Sequence, residues 1–126
     1  MDSPSQSVLV VDDDPSIRLL CRVNLELDGW HVIEAATVEQ ARRALVDAEV
    51  AVVLLDVHVG TADGLELLAE IRRDRPGLRV ALLTGSAGPI SDDQARADEI
   101  VTKPFTLEKL NETVRRLALT TVEKAG

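Results

Sequence analysis

Three short stretches of this chain are almost uninterrupted Val, Leu and Ala: "VLVV" at Val8–Val11, "VAVVLL" at Val50–Leu55 and "VALL" at Val80–Leu83. A strand with one wet face alternates apolar and polar residues. A strand that does not alternate is covered on both faces. These runs are far too short to span a membrane, which takes about 20 apolar residues. Two weaker runs, Val32–Ile33 and Ile100–Val101, complete a set of five strand candidates. Covering both faces of such a sheet takes helices.

Helical signals lie in the gaps. Asp14 before Pro15 predicts an N-cap with proline at the first helical position. That helix is expected to turn Ile17, Leu20, Val23 and Leu27 inward and to end near Gly29. Thr37 and Gln40 form a capping-box pattern ahead of Ala41, Ala44 and Leu45. Leu65, Leu68 and Ile71 share a face of a third helix, which "RPG" at 75–77 stops. Ser91 and Gln94 open a fourth, but Gly85, Gly88 and Pro89 disfavour helix before it. It is expected to be short or mobile. Thr106 caps a last helix with Leu107, Leu110, Val114 and Leu117 inward. The order βαβαβαβαβα predicts one α/β domain with a five-stranded parallel sheet and right-handed crossovers. Ligands of open sheets of this kind bind beyond the carboxyl ends of the strands.

Composition narrows the partners. The 126 residues suit one domain, and the net charge of −8 repels nucleic acid and anionic lipid while favouring cations and basic protein patches. With one Trp, one Phe and no Tyr, the core must be aliphatic. The single Cys21 excludes an internal disulfide, fits a reducing cytoplasm and reads as a core-facing helix residue. "MDSPSQS" has no apolar stretch of signal-peptide type, so residues 1–7 read as a disordered lead-in, 8–119 as the domain and 120–126 as a tail. Trp30 and His31 read as packing beside the second strand.

The strand ends carry the chemistry. The first ends in Asp12, Asp13 and Asp14, the third in Asp56 and the fourth in Thr84; Lys103 and Pro104 follow the fifth. Clustered carboxylates with no His or Cys partner favour a hard divalent cation, and Mg²⁺ fits best. Asp14 is expected to cap its helix instead. A carboxylate, a cation, a hydroxyl and a lysine together suit phosphoryl transfer. Asp can act as nucleophile and become an aspartyl-phosphate, while the other groups neutralise the phosphoryl oxygens.

With "LVVDDD", "LLDVHVGTADG", "LLTG" and "KPF" in that order, the chain resembles a response-regulator receiver domain of two-component signalling. These motifs span residues 8 to 105, and the alternating pattern extends through the last helix. The resemblance implies a flavodoxin-like doubly wound sheet of order 2-1-3-4-5 with helices on both faces. It implies Asp56 as phosphoacceptor, Asp13 as a direct Mg²⁺ ligand, Asp12 acting mainly through bridging water, and the His58 backbone carbonyl as a third protein ligand. Thr84 would bond the phosphoryl group, Lys103 would pair with it, and the Lys103–Pro104 bond would be cis. Gly64 would open the third helix, Gly85 would leave the phosphate approach clear, and His58 and Ser86 would influence hydrolysis. The implied partners are a histidine kinase or histidine phosphotransfer protein and an unidentified downstream protein, with neither nucleic acid nor membrane bound directly.

Three features depart from the family pattern. Val59 and Gly60 replace the usual Met-Pro, so this loop is expected to be looser. Ile100 stands three residues before the lysine, where the family often has Tyr or Phe. The segment from Thr84 to Lys103 is short, which puts the usual output face in question. Two other functions compete. One is a degenerate receiver that binds a partner without being phosphorylated. The other is a small haloacid-dehalogenase-type phosphatase with Asp12 as nucleophile and Asp14 as acid/base, which leaves Asp56 without a role. The chain is expected either to act alone through protein contacts or to be the receiver of a hybrid kinase or larger regulator.

Overall fold

The computed structural model describes residues 6–85 and 88–125, with side chains as far as residue 119. Ser86 and most of the expected lead-in lie outside the described residues. The elements in order are β1 (Ser7–Val11), α1 (Pro15–Leu27), β2 (His31–Ala35), α2 (Val38–Asp47), β3 (Val52–Asp56), β4 (His58–Val59), β5 (Ala62–Asp63), α3 (Gly64–Asp74), β6 (Arg79–Thr84), a 3-10 turn (Gln94–Arg96), β7 (Glu99–Thr102) and α4 (Leu107–Ala125). Five strands form one sheet of order β2-β1-β3-β6-β7, every pair parallel. Leaving out the small β4–β5 ribbon, this is the expected 2-1-3-4-5 order. No helix among the described residues is long and apolar enough to cross a membrane.

The three apolar runs are the three central strands, and adjacent residues in them feed opposite cores. Leu9, Val11, Val53, Leu55, Val80 and Leu82 pack toward α2 and α3. Val8, Val10, Val52, Leu54, Ala81 and Leu83 pack toward α1 and α4. All twelve are fully buried, which is why neither parity could be polar.

The helix starts follow their caps. Asp14, Thr37 and Asp63 accept hydrogen bonds from the backbones of Ser16, Gln40 and Leu65, and Thr106 Oγ1 accepts from Lys109 N. The inward face of α1 differs from expectation. Cys21 and Leu25 are buried, whereas Leu20, Val23 and Leu27 are 44%, 47% and 84% exposed. The helix is apolar on both sides, so spacing alone cannot choose between them. Leu107, in the first turn of α4, is also exposed, while Leu110, Val114 and Leu117 are buried as expected. The backbone of α4 continues to Ala125.

The fourth helix is reduced to a single 3-10 turn. Ser91 and Gln94 do form reciprocal capping bonds, Gln94 N to Ser91 Oγ at 3.2 Å and Ser91 N to Gln94 Oε1 at 3.1 Å. The chain is then captured by its surroundings. Arg72 donates to the Arg96 carbonyl at 2.7 Å and to Asp98 at 2.6 Å. Asp98 also accepts from Arg79 and from Val80 N, both at 2.8 Å. These bonds fix residues 96–98 just ahead of β7, so the turn does not continue toward the strand.

The loop expected to be loose is a ribbon, with His58 paired to Asp63 and Val59 to Ala62. Gly60 has φ +64° and no non-glycine residue among the described residues has positive φ, the sign pattern of a type II′ hairpin turn. Losing proline while gaining glycine at this position permits a tight turn, and it seats Val59 in the core.

Candidate functional site

The parallel order brings the carboxyl ends of β1, β3, β6 and β7 to one rim, and Asp12, Asp56, Thr84 and Lys103 meet there. Asp12 follows β1 and is fully buried. Its Oδ1 accepts from Asp14 N at 3.0 Å, and its Oδ2 accepts from Lys103 Nζ at 3.0 Å. Asp56 ends β3; its Oδ1 accepts from His58 N at 3.3 Å, and its Oδ2 is 3.4 Å from Lys103 Nζ. Thr84 ends β6, is buried, and pairs in register with Thr102 of β7. Lys103 N donates to the Thr84 carbonyl at 2.7 Å, tying the lysine to the strand beside it. The Lys103–Pro104 bond is cis, as the resemblance implied.

Asp13 is exposed beside this pair. One carboxylate oxygen each from Asp12, Asp13 and Asp56 lies within 4.8 Å of the others, the sole such cluster of three acidic or metal-ligating side chains among the described residues. An all-oxygen donor set with neither His nor Cys fits Mg²⁺. Asp14 stands apart from it as the cap of α1. The His58 side chain is exposed and points to no role here; its backbone N–H is what reaches Asp56.

Charge is unbalanced at this rim. Burial, and then the nearby charge of Asp12, raise the pKa of Asp56, only partly offset by Lys103. On Lys103 burial works against the charge, yet the hydrogen bond and charge of Asp12, with those of Asp56, raise its pKa overall. The rim thus holds its ammonium firmly and the Asp56 carboxylate uneasily, a condition that favours a bound cation.

Gly64 opens α3, and the backbone permits nothing larger. A Cβ there would stand 2.1 Å from the Asp56 carbonyl oxygen. The Gly64 N–H donates to the Val57 carbonyl at 2.6 Å, so the start of α3 is pressed against the residue pair that ends β3. Sequence reasoning missed Arg18, whose Nη1 donates to the Asp12 carbonyl at 2.8 Å while its Nε donates to Glu34 at 3.2 Å. The available signal was an arginine one turn into the helix that follows the aspartates.

The response regulator receiver domain family model matches residues 8–115. The chain is 35% identical to the probable transcriptional regulatory protein TcrX of Mycobacterium tuberculosis, over 99% of this chain and 56% of that protein. It is 35% identical to the transcriptional regulatory protein KdpE of the same species, over 86% of this chain and 51% of that protein. The chain therefore spans about half the length of these curated relatives. Among solved structures it is similar to the response regulator TrrA of Thermotoga maritima in complex with Mg²⁺ and BeF, at 34% identity and a TM-score of 0.82, covering 89% of this chain and 98% of that one. A CheY-like receiver domain protein of Methanospirillum hungatei superposes with a TM-score of 0.88 at 26% identity, covering 98% and 100% of the two chains. Fold, strand-end chemistry and relatives agree: the chain belongs to the response regulator receiver domains of two-component systems.

Proposed function

We propose that the chain takes a phosphoryl group from a histidine kinase or histidine phosphotransfer protein onto Asp56 in a Mg²⁺-dependent reaction in the cytoplasm, and that phosphorylation switches its contacts with a downstream protein. The observation that carries this reading is the shared ammonium: Lys103 Nζ lies between Asp12 and Asp56, beside a three-carboxylate cluster at one strand-end rim.

In the proposed transfer an Asp56 carboxylate oxygen attacks the phosphorus of a phosphohistidine. The new O–P bond forms as the P–N bond breaks, and the imidazole nitrogen keeps the electron pair and is then protonated from water. Asp12, Asp13, Asp56 and the His58 carbonyl would hold Mg²⁺, which when bound would neutralise the carboxylates and phosphoryl oxygens. Lys103 keeps its 3.0 Å bond to Asp12 and turns its weaker 3.4 Å contact from Asp56 to a phosphoryl oxygen. The Thr84 hydroxyl bonds another phosphoryl oxygen. Ile100 packs at the edge of the α2–α3 core and sits two residues from Thr102, the register partner of Thr84. A shift of Thr84 is felt there by an aliphatic side chain instead of an aromatic one.

Geometry favours Asp56 over Asp12 as nucleophile. The Asp12 side chain is 1% exposed against 12% for Asp56, and its oxygens are held at 3.0 Å where those of Asp56 are held more loosely, at 3.3 and 3.4 Å. Asp14, the acid/base of the phosphatase alternative, is occupied as a cap. The test is incubation with acetyl phosphate with and without Mg²⁺, read by intact mass. A Mg²⁺-dependent adduct is expected. No adduct from a chain that binds Mg²⁺ would leave only a partner-binding module, and an adduct on Asp12 would favour the phosphatase.

A further inference from the structure

The three carboxylates of the rim are not held alike. Asp12 and Asp56 are fixed through their oxygens by Lys103 and by backbone N–H groups. The Asp13 carboxylate has no protein partner among the described residues, so its direction is set through the backbone alone.

That backbone is gripped on both sides of Asp12. The Asp12 N–H donates to the Ala35 carbonyl of β2 at 3.1 Å, and the Asp12 carbonyl accepts from Arg18 Nη1 at 2.8 Å. The peptide between Asp12 and Asp13 is planar, so holding its carbonyl also sets its N–H and the Cα of Asp13. The Asp14 N–H, which donates to Asp12 Oδ1 at 3.0 Å, holds the chain on the far side of Asp13, so the side-chain torsions of Asp13 are its main remaining freedom. Arg18 is itself aimed by Glu34 of β2, which accepts from Arg18 Nε at 3.2 Å and from Arg22 Nη1 at 2.8 Å. The Arg18 and Glu34 side chains are 18% and 26% exposed, so the pair is better sheltered than an ordinary surface ion pair.

We infer that Arg18, oriented by Glu34, is a positioning residue that presents the Asp13 carboxylate to the metal. This rests on the receiver reading given above. Outer groups that orient ligands change metal affinity by about 10–100-fold when removed. Arg18→Ala is therefore expected to weaken Mg²⁺ binding about tenfold. Arg18→Lys, which has one point donor and no fork, is expected to fall between it and the unaltered chain. Glu34→Gln keeps the shape but weakens the grip on Arg18, with an expected loss of a few-fold. Arg22, whose one polar side-chain partner among the described residues is Glu34, gives in Arg22→Ala the near-neutral control.

The experiment is calorimetric titration of MgCl₂ into each unphosphorylated protein, with thermal unfolding recorded alongside. The Mg²⁺ dependence of phosphorylation by acetyl phosphate is measured in parallel. The expected result is a raised Kd and a raised half-saturating Mg²⁺ concentration for Arg18→Ala, partial rescue by Arg18→Lys, and an unchanged rate at saturating Mg²⁺. Equal Mg²⁺ affinity in the unaltered chain and the folded Arg18 variants overturns the positioning role. If Arg18→Ala fails to fold, Arg18→Lys and Glu34→Gln decide by the same criterion. Absence of Mg²⁺ binding by the unaltered chain overturns the receiver reading itself.

Discussion

The two rims of the sheet treat charge in opposite ways. At the carboxyl-end rim three carboxylates gather around one ammonium. At the amino-end rim one carboxylate, Asp98, receives two guanidiniums and the Val80 N–H. Burial raises the pKa of Asp56, and the charge of Asp12 adds to it. Burial also works against Asp98, yet the Val80 N–H, Arg79 and Arg72 outweigh it and leave its pKa lowered. A cluster that serves the fold is completed from within the fold. The carboxyl-end cluster, three carboxylates to one ammonium, is left short of two positive charges, which suits it to a divalent cation.

This contrast separates function from stability, and each rim can be tested for one without the other. Asp56→Asn has the largest expected effect. Phosphoryl uptake should fall at least ~100-fold, to background. The thermal midpoint should stay the same or rise by up to about 4 °C, because a buried charge facing Asp12 has gone. A marked drop in the midpoint would break the contrast. Lys103→Ala should slow phosphorylation about 100-fold at saturating Mg²⁺, the loss of one donor to the developing phosphoryl charge. Its Mg²⁺ affinity should be unchanged or tighter, since an internal competitor for the carboxylates is removed; calorimetry reads this directly.

Asp98→Asn should do the reverse. It weakens three charge-assisted bonds and should cost about 2 kcal/mol in urea unfolding, with phosphorylation changed less than about twofold. The smallest effect is on pH dependence. Because the folded pKa of Asp98 is lowered, its contribution is complete above its unfolded value of about 3.9 and is lost as pH falls through the lower folded value. Urea midpoints recorded between neutral and strongly acid pH should show this loss in the unaltered chain, and the Asp98→Asn variant should lack that part of the slope.

The carboxyl-end rim was legible in the sequence for a physical reason. Each of its residues stands at the end of an apolar run, and a parallel sheet must bring those ends together. The amino-end rim was not. Arg72, Arg79 and Asp98 are ordinary charged residues until strand register and a short connection place them in contact. The inward face of α1 was misread because Leu20, Val23 and Leu27 form as regular a stripe as the residues that are buried. The β4–β5 ribbon reads from the sequence as a loose loop when the lost proline alone is weighed, whereas Gly60 at the first turn position is a hairpin signal. Arg18 carries no motif, and only the geometry shows which carbonyl it holds.

The most direct test of the central claim is to locate the phosphoryl group. After reaction with acetyl phosphate and Mg²⁺, borohydride reduction converts an acyl phosphate on aspartate to homoserine, which survives digestion and is placed by peptide mass mapping. The account predicts homoserine at position 56, dependent on Mg²⁺ and absent without phosphodonor. Homoserine at position 12 or 13 with Asp56 intact would contradict it.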